Sequence, residues 1–491
     1  MKREKLQEDS GITVKKSENF SEWYTQVLKK AELADIRFNV KGFLVHMPWS
    51  VKAMKLMYQA FEEELEKRGH QPLMLPSVIP ESNFEKEKEH AVFKAEVFWI
   101  TEVGSEKKKL DERLALRPTS ETAFYQMYSL WVRSWRDLPM KRYQSCQVWR
   151  HETKATRPFI RGREFWWIEA HDAFATREEA ETQVKEDAEI TERVMHKLFG
   201  IPFLFFQRPE HDKFQGAVHT YAADTVMPDG KVLQLPSTHF LGQNFAKAFD
   251  IKFVDEDGKK KHVWQTCYGP AIWRIFGAIV AIHGDDKGLI LPPEVAPVQA
   301  IVIPIFFKGK EREVLKKAKA IERVIVGGGV RAKVDEREEH TPGWKYNYWE
   351  LRGTPLRVEI GPRDVEKGQV VLVRRDTREK ITVKDEELLE KIDEFSKDIQ
   401  SNLLRRADES FEMRISEAKN IGELKSWLRK KGGLVRVNWC GKERCADLIK
   451  SETGGGEIKG TLYNRKEEKP SGNCIKCGKK AGQVVYIGKT Y

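Results

Sequence analysis

Between residues 142 and 300 the chain carries five runs that read as short strands: RYQSCQVW, EFWWIEAHDAF, TYAADTVM, KVLQLPSTHFL and HVWQTCY. Aromatic and β-branched residues recur in them, and turn-forming stretches separate them. One helical stretch, about 176–199, interrupts the series. Strands arranged this way pair as neighbours in an antiparallel sheet with helices packed against it, so the fold class is α+β. No other feature narrows the fold as far.

Before this region, PWSVKAMKLMYQAFEEELEKRGHQPLMLP reads as a helix and then a strand. Met54, Met57, Tyr58, Phe61 and Leu65 fall at helical spacing, with Ser50 as N-cap and Gly69 as stop. PTSETAFYQMYSLWVRSWRDLP reads as a second helix, capped around Thr119 or Ser120. After it, the prolines of LILPPEVAPVQAIVIPIF mark a boundary. Strands over 298–306 and 329–335, a helix over 309–322, another around PGWKYNYWELRG, the strands LRVEIG and QVVLVRRD, and a helix over 386–404 make a compact α/β unit. The expected domains are therefore 1–296, 297–404 and 405–491.

The 491 residues are 40% hydrophobic and 33% charged. That composition describes a folded globular protein, not a disordered chain. The start, MKREKLQEDS, lacks the apolar centre of a signal peptide, and no run has the length of a membrane span, so a cytoplasmic protein without a membrane partner is expected. A net charge of +11 suits a nucleic-acid partner.

The segment QVWRHETKATRPFIRGREFWW, 147–167, concentrates cations. Arg150, Lys154, Arg157, Arg161 and Arg163 stand among Glu152 and Glu164, and the run closes on Phe165, Trp166 and Trp167. A solvated loop between strands explains the charges cheaply. The sharper reading is a clamp for a polyanion with a flat ring: guanidinium forks match phosphate and carboxylate oxygens, and an aromatic face takes a purine. Glu152 shares a strand face with Arg150. Thr119 and Glu121 offer a hydroxyl and a carboxylate at a helix start, a pair fit for a substrate ammonium, although any helix gains from such a cap. Arg274 opens an apolar helix, and Gln234 and His239 sit in a polar turn. Cys440 and Cys445 form C-x4-C, and Cys474 and Cys477 form C-x2-C. Two short-spaced pairs match a structural Zn²⁺ site with four thiolates.

Together these segments resemble class II aminoacyl-tRNA synthetases, and among them prolyl-tRNA synthetases of the archaeal and eukaryotic kind. LVHMPW with QPLMLP looks like motif 1, VWRHE with FIRGREF like motif 2, and GAIVAIHGDDKGLILPP after Arg274 like motif 3. PTSET matches the proline signature and FWWIEAH a strand of the amino-acid pocket. Ile272 and Trp273 depart from the family's small polar residues. The resemblance implies a class II antiparallel catalytic domain, an α/β anticodon-binding domain and a small zinc-binding α+β C-terminal domain. It implies a homodimer that uses ATP and Mg²⁺ to join L-proline to tRNA(Pro) through a prolyl-adenylate. Arg150 and Arg274 would be catalytic. Arg150 would also hold the α-phosphate and the proline carboxylate, Arg161 the β/γ-phosphates, and Arg274 the γ-phosphate. Glu152, Phe165 and Gln234 would serve ATP, and Thr119, Glu121, Trp167, Glu169 and His239 the proline. Lys345 and Arg352 would meet the anticodon, and Tyr491 would pack near the active site. It also implies that the editing insertion of bacterial relatives is missing. A class II enzyme for another amino acid is disfavoured by PTSET with FWWIEAH. A non-catalytic tRNA-binding paralogue is disfavoured by the intact arginines.

Overall fold

The computed structural model describes residues 11–88, 96–463 and 468–491, so MKREKLQEDS lies outside the described residues. Its centre is the expected antiparallel sheet. In chain order the catalytic strands are β1 (Gln71–Pro72), β2 (Met140–Trp149), β3 (Glu164–Phe174), β4 (Leu204–Gln207), β5 (His219–Val226), β6 (Val232–Gly242) and β7 (Trp264–Gly269). They lie in the order β4-β5-β6-β7-β3-β2-β1, and only the short β1 is parallel to its neighbour. β2 and β3 pair without a bulge from Met140↔Ala173 to Trp149↔Glu164. That register fixes which residues share a face, because side chains alternate along a strand.

Four helices frame the sheet: α1 (Pro48–Glu66), α2 (Glu121–Trp131), α3 (Arg177–Thr191) and α4 (Ile272–His283). α1 buries Met54, Met57, Phe61 and Leu65 of the predicted stripe, with Ala53 beside them, and leaves Tyr58 half-buried. α3 starts at a capping box between Thr176 and Glu179 and runs on into a π-helical turn, Glu192–Leu198, so one helical body covers the predicted 176–199. α4 is apolar nearly all round and almost entirely buried, as expected of a helix enclosed on every side. Gly277 belongs to this close packing, since a Cβ there would stand 2.3 Å from the Phe159 carbonyl oxygen.

The second unit has a five-stranded mixed sheet. β8 (Ala300–Pro304), β9 (Ala332–Val334) and β10 (Leu356–Ile360) run parallel, and β11 (Gln369–Arg374) and β12 (Lys380–Lys384) add an antiparallel edge. Its helices include α5 (Pro342–Leu351) and α6 (Leu388–Glu412). α6 overruns the expected 386–404 because its buried stripe, Leu403, Ala407 and Phe411, continues at helical spacing. The C-terminal strands, β13 (Ile415–Glu417), β14 (Leu434–Trp439), β15 (Gly456–Leu462) and β16 (Gln483–Lys489), extend the catalytic sheet to eleven strands. The join is Thr461↔Gln207 and Leu462↔Phe206. Gly460 permits it, with φ +126 and room for no Cβ: one would stand 2.0 Å from the Gln207 carbonyl oxygen.

Candidate active site

Strand alternation builds one wall of a cavity of about 410 Å³. Phe165, Trp167, Glu169 and His171, every second residue of β3, face it. β6 adds Ser237 and His239, β7 adds Cys267 and Gly269, α2 brings Thr119 and Glu121, and α4 brings Arg274. Trp167 lies flat against β7 because Gly269 leaves room; a Cβ there would come within 3.2 Å of the indole.

The floor is acidic and buried. Glu169 accepts from the Ser120 amide at 2.9 Å, the Ser120 hydroxyl at 2.6 Å, Gln144 at 3.1 Å and the Thr119 hydroxyl at 3.0 Å. Thr119 also hydrogen-bonds to Glu121. Burial favours the neutral form of both acids, yet the two part company. Burial, reinforced by the Glu169 charge, raises the Glu121 carboxyl, whereas His171 and the Ser120 donors outweigh burial and hold Glu169 ionised. His239 accepts or donates at 2.9 Å to Thr220 and 3.2 Å to Ser237, and burial lowers its pKa to about 3, so the ring is neutral.

The rim is cationic. Arg150 donates from Nε to the Pro118 carbonyl at 2.9 Å and lies 5.2 Å from the ring centres of both Phe165 and Trp167. Arg274 donates to the carbonyls of Ile160 at 3.2 Å and Gln234 at 3.1 Å. Burial, with Arg161 and Arg150 close by, lowers Arg274 to about 10. These guanidiniums spend donors on neutral carbonyls, and their mutual repulsion calls for an anion. Arg161 pairs with Glu152 at 2.7 Å and donates to the Tyr491 carbonyl at 2.5 Å, so the last residue of the chain does reach the rim. Burial would raise Glu152, but the Lys154 amide and Arg161 outweigh it and lower its pKa.

The structure thus gathers Thr119, Glu121, Arg150, Phe165, Trp167, Glu169, Gln234, His239 and Arg274 in one cavity, with Glu152 and Arg161 beside it. Lys345 and Arg352 are elsewhere, on and after α5. Lys345 is buried with Nζ on the Asp335 carbonyl at 2.9 Å, and Arg352 pairs with Glu32 while lying 3.5 Å from the Tyr348 ring centre. The sequence reading missed Glu96, His171, Arg208 and Cys267 on the cavity wall. His171 was within reach of it, two residues after Glu169 on a strand. Arg208 was not: it forks onto Asp224 at 2.7 Å through both nitrogens, and donates to the Lys459 carbonyl of β15 at 2.7 Å and to Gln234 at 3.2 Å.

In the second predicted site, Cys440, Cys445, Cys474 and Cys477 bring four sulfurs within 4.8 Å of one another. Gly441 (φ 80) and Gly478 (φ 69) turn the backbone after one cysteine of each pair, so that the amides of Lys442 and Lys479 face the thiols of Cys440 and Cys477. The Lys479 amide lowers Cys477 to about 7, whereas burial pushes Cys445 up to about 12. Such a set fits one tetrahedral soft cation.

One buried group outside the site yields a pH prediction. Burial lowers His283 to about 4, and its Nε2–H donates to the Phe199 carbonyl at 2.8 Å. The unfolded ring titrates near 6.5. Its contribution is therefore complete above about pH 6.5 and is lost as pH falls towards 4, because only the unfolded chain takes the proton. Relative to His283→Gln, the wild type should lose about 3 kcal/mol between pH 7 and 4. Paired urea melts across that range test this, and parallel profiles would exclude it.

An antiparallel sheet presenting half-buried arginines over an acidic floor is the construction of class II aminoacyl-tRNA synthetases, and the comparisons place the chain there. Residues 98–283 match the tRNA synthetase class II core domain (G, H, P, S and T), residues 299–395 the anticodon binding domain, and residues 421–491 the prolyl-tRNA synthetase C-terminal domain. Proline–tRNA ligase of Thermofilum pendens is 57% identical over 98% of this chain and 100% of its own length, and that of Pyrococcus horikoshii 45% over 97% and 98%. Two crystal structures of prolyl-tRNA synthetase from Cryptosporidium parvum superpose with a TM-score of 0.91. The first, with halofuginone and AMPPNP, is 36% identical and covers 98% of this chain and 100% of that one. The second, with L-proline and AMP, is 34% identical over 98% and 97%. The chain belongs to the prolyl-tRNA synthetase family, the enzymes that ligate proline to tRNA.

Proposed function

We propose that this cavity joins L-proline to ATP and passes it to tRNA(Pro). The observation that carries the reading is one cavity with an ammonium-accepting floor, aromatic walls and a phosphate-seeking rim. Glu121, Glu169 and Thr119 take the imino nitrogen, and Trp167 and His239 enclose the ring. Arg150 lies between floor and rim, where it holds the proline carboxylate and the α-phosphate together. A carboxylate oxygen attacks the α-phosphorus in line, the bond to the bridging oxygen breaks, and pyrophosphate leaves. The ribose hydroxyl of the tRNA end then attacks the carbonyl carbon and AMP leaves. Neither step needs a covalent bond to the enzyme, so positioning and charge carry the rate. Arg161 and Arg274 face the outer phosphates, and Phe165, Glu152 and Gln234 the nucleoside side. Mg²⁺, when bound with ATP, supplies further charge neutralisation of the phosphates.

The cysteine quartet holds a structural Zn²⁺ through its four thiolates. His340, just before α5, stacks with Trp344 and Tyr348 on it at 3.5 Å and 5.1 Å, and the three rings give unstacked anticodon bases a platform, with Lys345 and Arg352 fixing the helix behind it. Exposed Ile36, Phe38, Val40 and Met74 near motif 1 supply apolar surface for a homodimer. The working domains are 1–296, 297–412 and 413–491, the second boundary falling at the end of α6, and the site of action is the cytoplasm.

The test is amino-acid-dependent exchange of labelled pyrophosphate into ATP, run with all twenty amino acids. Proline should give the highest rate. A faster rate with any other amino acid would sink the reading. Alanine should register above background, because each methylene missing from an apolar pocket is worth only about 1–3 kcal/mol. Between β3 and β7 the described chain is consumed by α3, β4, β5, β6, the short helix Asn244–Ala248 and the hairpin Lys252–Val254 with Lys260–His262. All belong to or flank the catalytic sheet, so alanyl-tRNA(Pro) should persist with the purified enzyme. Its rapid deacylation would reveal a hydrolytic site.

A further inference from the structure

The cavity floor holds three donors of mixed chemistry. The Cys267 thiol, a Glu121 carboxylate oxygen and a His171 ring nitrogen lie within 4.8 Å of one another, and all three residues are buried. Cys267 Sγ is 3.9 Å from Glu121 Oε1. Donors about 2.0–2.3 Å from one tetrahedral ion stand roughly 3.5 Å apart, so the set needs only slight closure. The orientation of His171 is a second observation. Its Nδ1 is held by the Tyr125 hydroxyl at 3.2 Å, while its Nε2 is buried without a hydrogen-bond partner among the described residues. The Glu169 carboxylate faces that nitrogen at 3.5 Å, an ion-pair distance outside hydrogen-bond geometry. An imidazole fixed through one nitrogen, with the other free of a hydrogen bond and turned towards carboxylate oxygens, is how metal-ligating histidines are presented.

Proline does not account for this set. An ammonium asks for oxygen acceptors, and a thiol sulfur accepts weakly. Sulfur with imidazole and one carboxylate suits zinc-like cations and not magnesium. Each donor comes from a different element, β7, β3 and the start of α2, so the framework already fixes their spacing.

We infer that the floor of the cavity binds a zinc-class divalent cation through Cys267 Sγ, His171 Nε2 and Glu121, with the fourth position open to the cavity, and that the bound metal excludes the amino acid. On binding, the thiol proton passes to solvent and sulfur becomes the third ligand. The exclusion rests on the proposed function, since Glu121 there accepts the imino nitrogen of proline. The site is separate from the cysteine quartet and is inhibitory.

The experiment starts from enzyme whose quartet is filled with Zn²⁺, which Co²⁺ does not readily displace. Added Co²⁺ should bring up a sulfur-to-cobalt charge-transfer band that saturates at about one extra ion per chain. The band should be absent from Cys267→Ser and bleached by L-proline. In pyrophosphate exchange, buffered Zn²⁺ should raise the KM for proline without changing kcat. Its inhibition constant should weaken at least about tenfold in Cys267→Ser, as loss of even an outer partner does. Absence of the band from the wild type, or a band and inhibition unchanged in Cys267→Ser, overturns the site. A band that depends on Cys267 but ignores proline upholds the metal site and overturns the placing of proline on this floor. If Cys267→Ser folds poorly, Cys267→Ala gives the same reading, because it removes the sulfur and leaves only a small apolar side chain at this buried position.

Discussion

Arg150→Ala should lower proline-dependent pyrophosphate exchange by about 10²–10³-fold and leave the chain folded. The guanidinium is half-buried between the acidic floor and the cationic rim, with its Nε on the Pro118 carbonyl and its centre 5.2 Å from the rings of both Phe165 and Trp167. Those contacts aim the remaining donors into the cavity. In the proposed reaction Arg150 touches both reacting partners, and such a contact is worth most as charge shifts in the transition state. Arg150→Lys should recover only part of the loss, because an ammonium keeps the charge and gives up the fork. Arg274→Ala should fall as far, with its loss concentrated in the KM for ATP if it serves the outer phosphate. Folding is checked by the melting temperature. Near-normal exchange in Arg150→Ala would refute the clamp.

What could be read in the sequence divides along a physical line. Local periodicity was readable. The alternation of FWWIEAH places Phe165, Trp167 and Glu169 on one face, and the same rule extended by two residues reaches His171. The α1 stripe and the cysteine spacings were readable for the same reason, since side-chain type at fixed spacing is itself the signal. Backbone-to-backbone events were not. The junction of β15 with β4 uses main-chain groups, and its one local sign is Gly460, which looks like any turn glycine. Arg208 is invisible because its partners, Asp224, Gln234 and Lys459, are distant in the chain. The burial of Lys345 was not readable either: basic and aromatic residues interleave in KYNYWELR, and a lysine buried on a carbonyl looks the same in sequence as an exposed one.

Loss of the metal from the cysteine quartet should be felt at the ATP site. Protein purified without chelator should carry about one zinc per chain, and Cys474→Ser should release it, because a closed four-thiolate site has no spare ligand. Structural zinc supplies about 10–16 kcal/mol to isolated zinc-finger peptides. Here part of the unit has its own core, through Val435, Val437, Trp439, Ile449 and Ile487, so partial unfolding is expected and not collapse. The quartet ties two otherwise separate turns, and the strand that leaves the second of them, β16, pairs with both β14 and β15. β15 in turn is held to β4 and, through the Lys459 carbonyl, to Arg208, whose far side meets Gln234. Gln234 presents its carbonyl to Arg274. By a second route, β16 leads directly to Tyr491, whose carbonyl accepts from Arg161. Both routes end at Arg161 and Arg274, the arginines proposed for the outer phosphates, and not at Glu121 or Glu169. The KM for ATP in Cys474→Ser should therefore rise several-fold more than the KM for proline. Elemental analysis finding no metal would refute the site, and equal changes in the two KM values would refute the coupling.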